Sequence, residues 1–195
     1  NPVNASVCAY FSNSLILYIV YENHTRNKEL LKYAQTDALT GLYNKETTEQ
    51  LTDELLSEDE NKYHAFLILD VDCFKQINDI YGHAVGDIVL QKFGKLLKGT
   101  FREGDILGRI GGDEFGVIMK NIQTKDIAMK KAEELLAKTQ AYKIDELKGN
   151  NISISIGIST APQDGDCYMD LYKRADQALY QAKRSGKARV CNYFS

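Results

Sequence analysis

The turn at residues 109–118 constrains the fold of this chain more than any other stretch. Two apolar, strand-like runs flank a short glycine-rich segment, which reads Gly111, Gly112, Asp113 and Glu114. Because glycine accepts the positive φ that tight hairpin turns require, we expect Gly111 and Gly112 to form the turn of a β-hairpin. Aspartate beside glycine is ordinary turn chemistry, so the two acids do not by themselves establish a functional site.

A second acidic segment gives the hairpin a partner. Residues 64–72 form an apolar run long enough for a buried central strand, and it ends in Asp70 and Asp72. Buried strands seldom end in unpaired carboxylates, because removing charge from water is costly unless a cation or donor meets it. If the turn lies beside this strand end, Asp70, Asp113 and Glu114 form an all-oxygen cluster suited to Mg²⁺ or Mn²⁺, with coordination sites left for phosphates.

Several separated motifs surround these acids in a fixed order. Asp-Ala-Leu-Thr-Gly-Leu-Tyr-Asn-Lys occupies residues 37–45, Phe-Lys-Gln-Ile-Asn-Asp occupies 74–79, and Gly-His-Ala-Val-Gly-Asp occupies 82–87. Together with the glycine turn, they resemble the GGDEF family of diguanylate cyclases over residues 37–193. The resemblance implies a palm-like α+β nucleotide-cyclase fold, with a central, mostly antiparallel sheet flanked by helices. Lys45 and Lys187 stand where the family usually has arginine.

The hydrophobic pattern agrees with this fold class. It predicts strands over residues 64–72, 105–110, 115–120, 152–159 and 188–193. It predicts helices over residues 45–57 with Asn44 as N-cap, over 73–80 with Asp72 as cap, and over three further stretches, Val89 to about Gly99, Ala128 to Thr139 and Leu171 to Ala182. We expect the small residues that alternate with isoleucine at 152–159 to allow a helix to approach closely.

Composition limits the partners. The formal net charge of −3 argues against a nucleic-acid binder, which would show a basic excess. The four cysteines are widely spaced and form no C-x-x-C pair, which favours reduced thiols in a cytosolic setting. We therefore expect a cytoplasmic domain that holds a small anion through local cations, and the family resemblance implies a bacterial one.

Residues 1–36 are expected to form an N-terminal helical extension, followed by the GGDEF domain at 37–195. Residues 1–21 carry no charged side chain, and 15–21 are continuously apolar. The tail of a transmembrane helix, a dimerising signalling helix and a fragment edge that packs by chance are three competing interpretations. The apolar run is too short to cross a bilayer of about 30 Å. We favour a helix over residues 8–35 that ends a sensor, membrane or signalling segment, in a protein anchored or fused upstream.

The resemblance also assigns the site. It implies that metal binds to the carboxylate of Asp70, the carbonyl of Val71, and Asp113 and Glu114, with Glu114 either a ligand of the second ion or the proton acceptor. Asp113, Glu114 and Lys75 are the expected catalytic residues. Phosphate oxygens are expected at the start of the helix after Asp72, where free N–H groups point outward. The remaining substrate-binding residues are expected to be Cys73, Phe74, Lys183, Lys187, Gly111 and Gly112, whereas Arg184 is interpreted as a solvated surface residue.

Guanine recognition is expected from Asn78 and Asp87. Guanine presents the ring N1–H and the 2-amino group as neighbouring donors, and one carboxylate accepts both, whereas adenine offers no such pair. Asn78 in a turn and Asp87 at a helix start have ordinary structural interpretations as well, but their place within the motif favours substrate binding. His83 either contacts the nucleotide or braces the loop.

The implied reaction joins two GTP molecules into cyclic di-GMP and pyrophosphate across a homodimer, because each site binds one GTP. Arg102 and Asp105 match the R-x-x-D product-inhibition site of the family. The main alternative is a non-catalytic GGDEF module that binds GTP or cyclic di-GMP as a regulator. A different palm-type nucleotidyl cyclase is a third interpretation, which Asn78 and Asp87 disfavour.

Overall fold

A computed structural model of the chain describes residues 18, 20–22, 26, 34–58 and 62–193. The chain divides into two compact units, Asn1–Thr36 and Asp37–Ser195. The described residues before Thr36 are helical, but most of the helix predicted over residues 8–35 lies outside the described part. No helix among the described residues is both long and apolar enough to span a bilayer. The role of the first unit therefore stays a prediction.

A five-stranded sheet forms the centre of the second unit. Its strands are β1 His64–Val71, β2 Ile106–Arg109, β3 Glu114–Met119, β6 Ile154–Ala161 and β7 Val190–Asn192. They lie in the order β2-β3-β1-β6-β7, and three of the four strand pairs are antiparallel, whereas β6 and β7 run parallel. The α+β class and the palm-like sheet predicted from the sequence are confirmed.

The described residues of this unit also form five α-helices. They are α1 Lys45–Glu58, α2 Phe74–Tyr81, α3 His83–Thr100, α4 Lys125–Ala141 and α5 Tyr168–Arg184. The Asn44 carboxamide oxygen accepts the Thr47 N–H at 2.9 Å, so the predicted N-cap of α1 is confirmed. A small ribbon of β4 Lys143–Ile144 and β5 Asn150–Asn151, joined through a 3₁₀ turn at Asp145–Leu147, was not expected. Its strands are too short to leave a periodic pattern in the sequence.

The central strand β1 is buried on both faces, which explains its unbroken apolar sequence. Successive side chains of a strand point to opposite faces, and β1 divides its residues between two hydrophobic clusters in this way. Leu67 and Leu69 belong to the cluster that includes α3 and α4 residues, whereas Phe66 and Ile68 belong to the cluster that includes α1 and α5 residues. The strand end is thus held rigidly between two layers of helices.

Strand β6 lets α5 approach closely, as its small residues predicted. A Cβ atom on Gly157 would lie 2.1 Å from the Ala175 carbonyl oxygen and 2.3 Å from the Leu179 nitrogen. Neither backbone atom can move without displacing the helix, so only glycine fits here. This close packing places the C-terminal end of α5 beside the end of β1.

The glycine turn differs from the expectation in one respect. Neither Gly111 nor Gly112 lies among the residues with positive φ, so the turn does not depend on the left-handed region. The space at Gly111 is tight instead, because a Cβ atom there would lie 2.9 Å from Glu114 Oε2, the end of a flexible side chain, and 3.2 Å from Glu114 Cβ. The turn thus packs Gly111 closely against Glu114, without the positive φ angles that the sequence predicted for the two glycines.

Candidate active site

Two acids meet at the end of the central strand. Asp70 and Glu114 are directly paired in the antiparallel register of β1 and β3, so their Cα atoms face each other. The next residue, Val71, donates its N–H to the Asp113 carbonyl oxygen at 3.2 Å. The hairpin therefore lies beside the acidic strand end, as the sequence predicted from two separate segments.

The environment of Asp70 fits a cation site. Burial raises the pKa of this carboxyl above its ordinary value, the Lys183 ammonium lowers it, and the neighbouring charges of Asp113 and Glu114 raise it again. Lys183 Nζ lies 2.7 Å from Asp70 Oδ2, and Asp70 as a residue is only 7% exposed. Carboxylates that repel one another around a half-enclosed point form the oxygen donor set that Mg²⁺ and Mn²⁺ prefer.

The carboxylates of Asp70, Asp113 and Glu114 do not all converge within 4.8 Å of one another. In the part of the chain that the structure describes, only Asp166, Cys167 and Asp170 form a trio that close. Repulsion among like charges favours such spacing, and Asp70 takes Lys183 as its partner. The backbone pairing brings the segments together, while the assignment of these residues as metal ligands stays a proposal.

The Arg109 side chain links the glycine turn to Asp37. Its Nη2 donates to the Gly112 carbonyl oxygen at 2.7 Å, and its Nη1 lies 3.2 Å from the Asp37 carboxylate. Asp37 Oδ1 also accepts the Thr40 N–H at 2.8 Å and the Thr40 hydroxyl at 2.7 Å. The sequence analysis missed this contact, because a separation of 72 residues leaves no local pattern in a single sequence.

The start of α2 presents a thiol and two cationic side chains. Cys73 is exposed, adopts a left-handed φ of 58° and precedes Phe74 and Lys75. Lys187 Nζ lies 3.1 Å from Cys73 Sγ, and this hydrogen bond raises the pKa of Lys187. Lys75 is exposed at the first turn of the same helix. The chain thus places Lys75 and Lys187 at a helix N-terminus, a combination that favours anions.

Asp72 does not cap α2, contrary to the prediction. The helix has no side-chain cap, because the Asp72 carboxylate turns toward β6 and the loop after α5. It accepts the Ser155 hydroxyl at 2.7 Å, the Ser153 hydroxyl, and the Ala188 N–H at 3.1 Å. Ser155 lies on β6 and Ser153 directly precedes that strand, which the sequence could not place beside β1.

Asn78 and Asp87 lie at the junction of α2 and α3. The side-chain oxygen of Asn78 is buried and has no hydrogen-bond partner among the described residues. A Cβ atom on Gly86 would lie 1.9 Å from that oxygen, so Gly86 leaves the space that the Asn78 side chain fills. Asp87 follows on α3 and is exposed, as is His83 at the first position of that helix.

Arg102 and Asp105 form an ion pair beside a cavity of about 630 Å³. Arg102 Nε lies 3.0 Å from Asp105 Oδ1, and the guanidinium also donates to the Lys120 carbonyl oxygen. The Asp105 side chain is 3% exposed, whereas that of Arg102 is 60% exposed. Lys130 and Lys131 from α4 line the same cavity. The arginine is therefore available to a ligand, and the aspartate mainly holds it.

Comparison with known proteins places this arrangement in a family. The family model of the diguanylate cyclase GGDEF domain matches residues 34–189. The chain is 38% identical over 187 residues to the uncharacterized protein YhcK of Bacillus subtilis, covering 91% of this chain and 51% of that protein. It is 37% identical over 170 residues to diguanylate cyclase A of Treponema denticola, covering 84% and 46%. The chain spans about half the length of these curated relatives.

A solved structure has the same fold. The coiled coil and GGDEF domain of DgcB from Caulobacter crescentus, crystallised in complex with c-di-GMP, superposes with a TM-score of 0.84 at 25% sequence identity. The match covers 96% of this chain and 99% of that chain. The similarity therefore extends over nearly the full length of both.

Proposed function

The chain belongs to the GGDEF family of diguanylate cyclases, and we propose that it joins two molecules of GTP into cyclic di-GMP. In each of two equivalent steps, a 3′-hydroxyl attacks an α-phosphorus in line, a P–O bond forms, and pyrophosphate leaves. One observation carries the proposal above the others. Asp70 at the end of buried β1 is paired with Glu114, which directly follows the turn Gly111 to Asp113.

Asp70, Asp113 and Glu114, with the carbonyl of Val71, would hold Mg²⁺ or Mn²⁺. Bound there, such an ion supplies Lewis-acid stabilisation of the charge that develops on the phosphate. The raised pKa of Asp70, which burial and two neighbouring carboxylates cause, supports a site built for a cation. Glu114 serves either as a ligand of the second ion or as acceptor of the hydroxyl proton.

The cationic side chains around the start of α2 bind the triphosphate in this proposal. The N–H groups of Cys73 and Phe74 and the ammonium of Lys75 lie at the helix N-terminus, where phosphate oxygens are favoured. Lys183 and Lys187 contribute positive charge from α5 and the loop that follows it. The family usually has arginine at the position of Lys187. Lysine keeps the positive charge of arginine but offers a point charge in place of its two-pronged contact with phosphate.

Asn78 and Asp87 select guanine. The unpartnered, buried oxygen of Asn78 supports this role, because a buried acceptor without a donor is costly unless a ligand supplies one. Guanine offers donors on its pairing edge, whereas adenine would leave the acceptors of the site unpaired. His83 at the start of α3 either contacts the nucleotide or braces this junction.

Catalysis requires two chains with opposed sites, because each site holds one GTP and the product contains two guanylates. We propose that residues 1–36 assist this pairing, which the match to the coiled coil and GGDEF domain of DgcB supports. The rate per chain should then rise with protein concentration until dimers saturate. A rate per chain that is independent of concentration from the nanomolar to the micromolar range would contradict obligate pairing at the site.

Arg102 and Asp105 form the site at which the product inhibits. The exposed guanidinium can grip phosphate or a guanine face, while the ion pair with buried Asp105 fixes its direction. The adjoining cavity provides room for a nucleotide, and Lys130 and Lys131 add positive charge to its wall. We propose that cyclic di-GMP binds here, outside the site where it is made.

Incubation of the protein with GTP and Mg²⁺, followed by identification of the nucleotide product by mass spectrometry, tests the proposed activity. Cyclic di-GMP with pyrophosphate is the expected result. Binding of GTP or cyclic di-GMP without turnover would instead indicate a regulatory module. Another cyclic nucleotide would indicate a different palm-type cyclase.

A further inference from the structure

The loop that carries Lys187 has an unusual backbone. Three consecutive residues adopt left-handed φ values, which are 110° at Gly186, 61° at Lys187 and 50° at Ala188. Glycine tolerates this region, but a residue with a Cβ atom is uncommon there and needs support from its surroundings. Two adjacent non-glycine residues in this region therefore point to a contact that holds the loop in place.

Asp72 supplies one such contact, in addition to the Lys187 N–H, which donates to the Ala182 carbonyl oxygen at 3.1 Å. Its Oδ2 accepts the Ala188 N–H at 3.1 Å, and its Oδ1 accepts the Ser155 hydroxyl at 2.7 Å. The Ser153 hydroxyl donates to the same carboxylate, and the Asp72 N–H donates to the Ser153 carbonyl oxygen at 2.8 Å. Asp72 is 7% exposed, so these donors satisfy a nearly enclosed charge. The carboxylate ties the end of β1, the start of β6 and the loop after α5 together.

The backbone conformation of this loop determines where the Lys187 side chain can reach. Its ammonium lies 3.1 Å from Cys73 Sγ at the start of α2, although its side chain is long and the residue is exposed. A flexible exposed lysine samples many rotamers, so the direction of its Cα–Cβ bond decides which region the ammonium can reach. The Ala182 carbonyl oxygen holds the N–H of Lys187 itself, and Asp72 holds the N–H of the next residue, Ala188, so the two bonds together fix the backbone from which Lys187 extends.

We propose that Asp72 is a positioning residue that aims Lys187 at the phosphates of the substrate. The inference rests on the proposed function, because it assigns Lys187 to a triphosphate. The charge of Asp72 by itself opposes phosphate binding, since like charges repel. Its benefit therefore comes from the hydrogen bond to Ala188, and not from direct contact with the nucleotide.

Asp72→Ala and Asp72→Asn separate the hydrogen bond from the charge. Asparagine can still accept from Ala188 through its oxygen while its amide donates to the Ser155 hydroxyl, so it keeps the tie without the charge. Binding of a GTP analogue with a methylene bridge between its α- and β-phosphates, which cannot release pyrophosphate, is measured by calorimetry in the presence of Mg²⁺ and needs no turnover. Asp72→Ala should weaken binding about tenfold, the effect expected from losing one charge-assisted contact to phosphate. Asp72→Asn should bind within about twofold of the wild type, a margin below one such contact.

A double-mutant cycle with Lys187→Ala identifies the route of the effect. If Asp72 acts through Lys187, Asp72→Ala should weaken binding less than about twofold further in the Lys187→Ala background. A full tenfold loss in that background, or equal losses in Asp72→Ala and Asp72→Asn, would overturn the proposal. Analogue binding that follows the predicted pattern without any turnover of GTP would refute the proposed activity and leave this inference standing.

Ser155→Ala keeps the test decisive if Asp72→Ala fails to fold. This variant removes one donor to Asp72. In the wild-type background it should weaken binding of the analogue by less than the roughly tenfold loss expected for Asp72→Ala, and in the Lys187→Ala background it should have no further effect. Ser159→Ala is the matched control, because Ser159 lies on the same strand and donates to the Leu171 carbonyl oxygen at 2.8 Å, away from the loop. Equal effects of the two serine variants would overturn the proposal.

Discussion

The Lys183 ammonium lies 2.7 Å from the Asp70 carboxylate, although 113 residues separate them in the chain. Asp70 ends the central strand, and Lys183 belongs to the last turn of α5. The close approach of that helix to Gly157 brings the two together. Asp70 is a proposed ligand of the metal ion, and Lys183 is a proposed contact of the triphosphate. The ion pair therefore links the proposed metal site to the proposed phosphate site.

Asp70→Asn should abolish turnover of GTP while leaving the fold intact. Because burial raises the pKa of Asp70, the folded chain holds this proton more tightly than the unfolded chain does. The ionised group therefore lowers the free energy of unfolding at neutral pH. A neutral amide should leave the melting temperature unchanged or raise it, while the rate falls at least about a hundredfold.

Circular dichroism melting and product formation at saturating GTP check this pair of effects. Asp126→Asn is the control, because Asp126 is exposed in the first turn of α4 and away from the site. A normal rate in Asp70→Asn would contradict the assignment of this carboxylate.

Gly86→Ala should weaken GTP binding by displacing the Asn78 side chain. The added methyl carbon would lie 1.9 Å from Asn78 Oδ1, so the carboxamide must leave its position. We expect KM for GTP to rise about tenfold, the usual cost of a lost hydrogen bond to a base edge. Gly99→Ala is the matched control on the same helix, because nothing lies within 4 Å of its added carbon.

Steady-state kinetics of both glycine variants in the wild-type and Asn78→Ala backgrounds provide the measurement. If Gly86 acts through Asn78, its substitution should add little once that carboxamide is absent. An equal loss in both backgrounds would show that Gly86→Ala disturbs the helix pair itself.

Arg102→Ala should abolish tight binding of cyclic di-GMP without changing the initial rate of GTP turnover. The guanidinium is mostly exposed, but it pairs with the buried Asp105 carboxylate, so its removal lowers the stability, while the Lys120 N–H still donates to Asp105 at 3.1 Å and the fold is expected to persist. Isothermal titration with cyclic di-GMP measures the effect. Arg184→Ala removes another surface arginine, one that lies over the Tyr180 ring, and serves as the control. Unchanged affinity in Arg102→Ala would remove the proposed inhibitory site.

Asp37→Asn should lower the free energy of unfolding at neutral pH but not in strong acid. Burial alone would raise the pKa of Asp37, but hydrogen bonds from Thr40 and the Arg109 charge outweigh it and hold the pKa below its ordinary value of 3.8. The ionised form therefore stabilises the folded chain above that value, and this stabilisation is lost as the pH falls through the folded-state pKa.

Urea unfolding of the wild type and Asp37→Asn at pH 7 and pH 3 measures the difference. We expect about 1 kcal/mol at pH 7, since the ion pair is partly screened by solvent, and a clearly smaller value at pH 3. A gap that stays constant between these pH values would show that the charge of Asp37 is not what stabilises the fold.

The sequence predicted most of the fold because its strongest signals are periodic and local. The unbroken apolar run of β1, the alternation of isoleucine with small residues in β6 and the capping side chain of Asn44 each report structure within a few residues. The order of the motifs was sufficient to indicate the family, and the two acidic segments led us to expect an oxygen cluster wherever the glycine turn lay beside the end of β1.

Only the tertiary structure decided the partners of residues that are distant in the chain. The sequence alone favoured Asp72 as a helix cap. In the structure its carboxylate instead accepts hydrogen bonds from Ser153, Ser155 and Ala188, because the packing of the sheet and of α5 brings these residues beside it. Arg109 meets Asp37 for the same reason. Local patterns record the conformation of neighbouring residues, whereas the direction of a buried polar side chain depends on which donors the packed elements place around it.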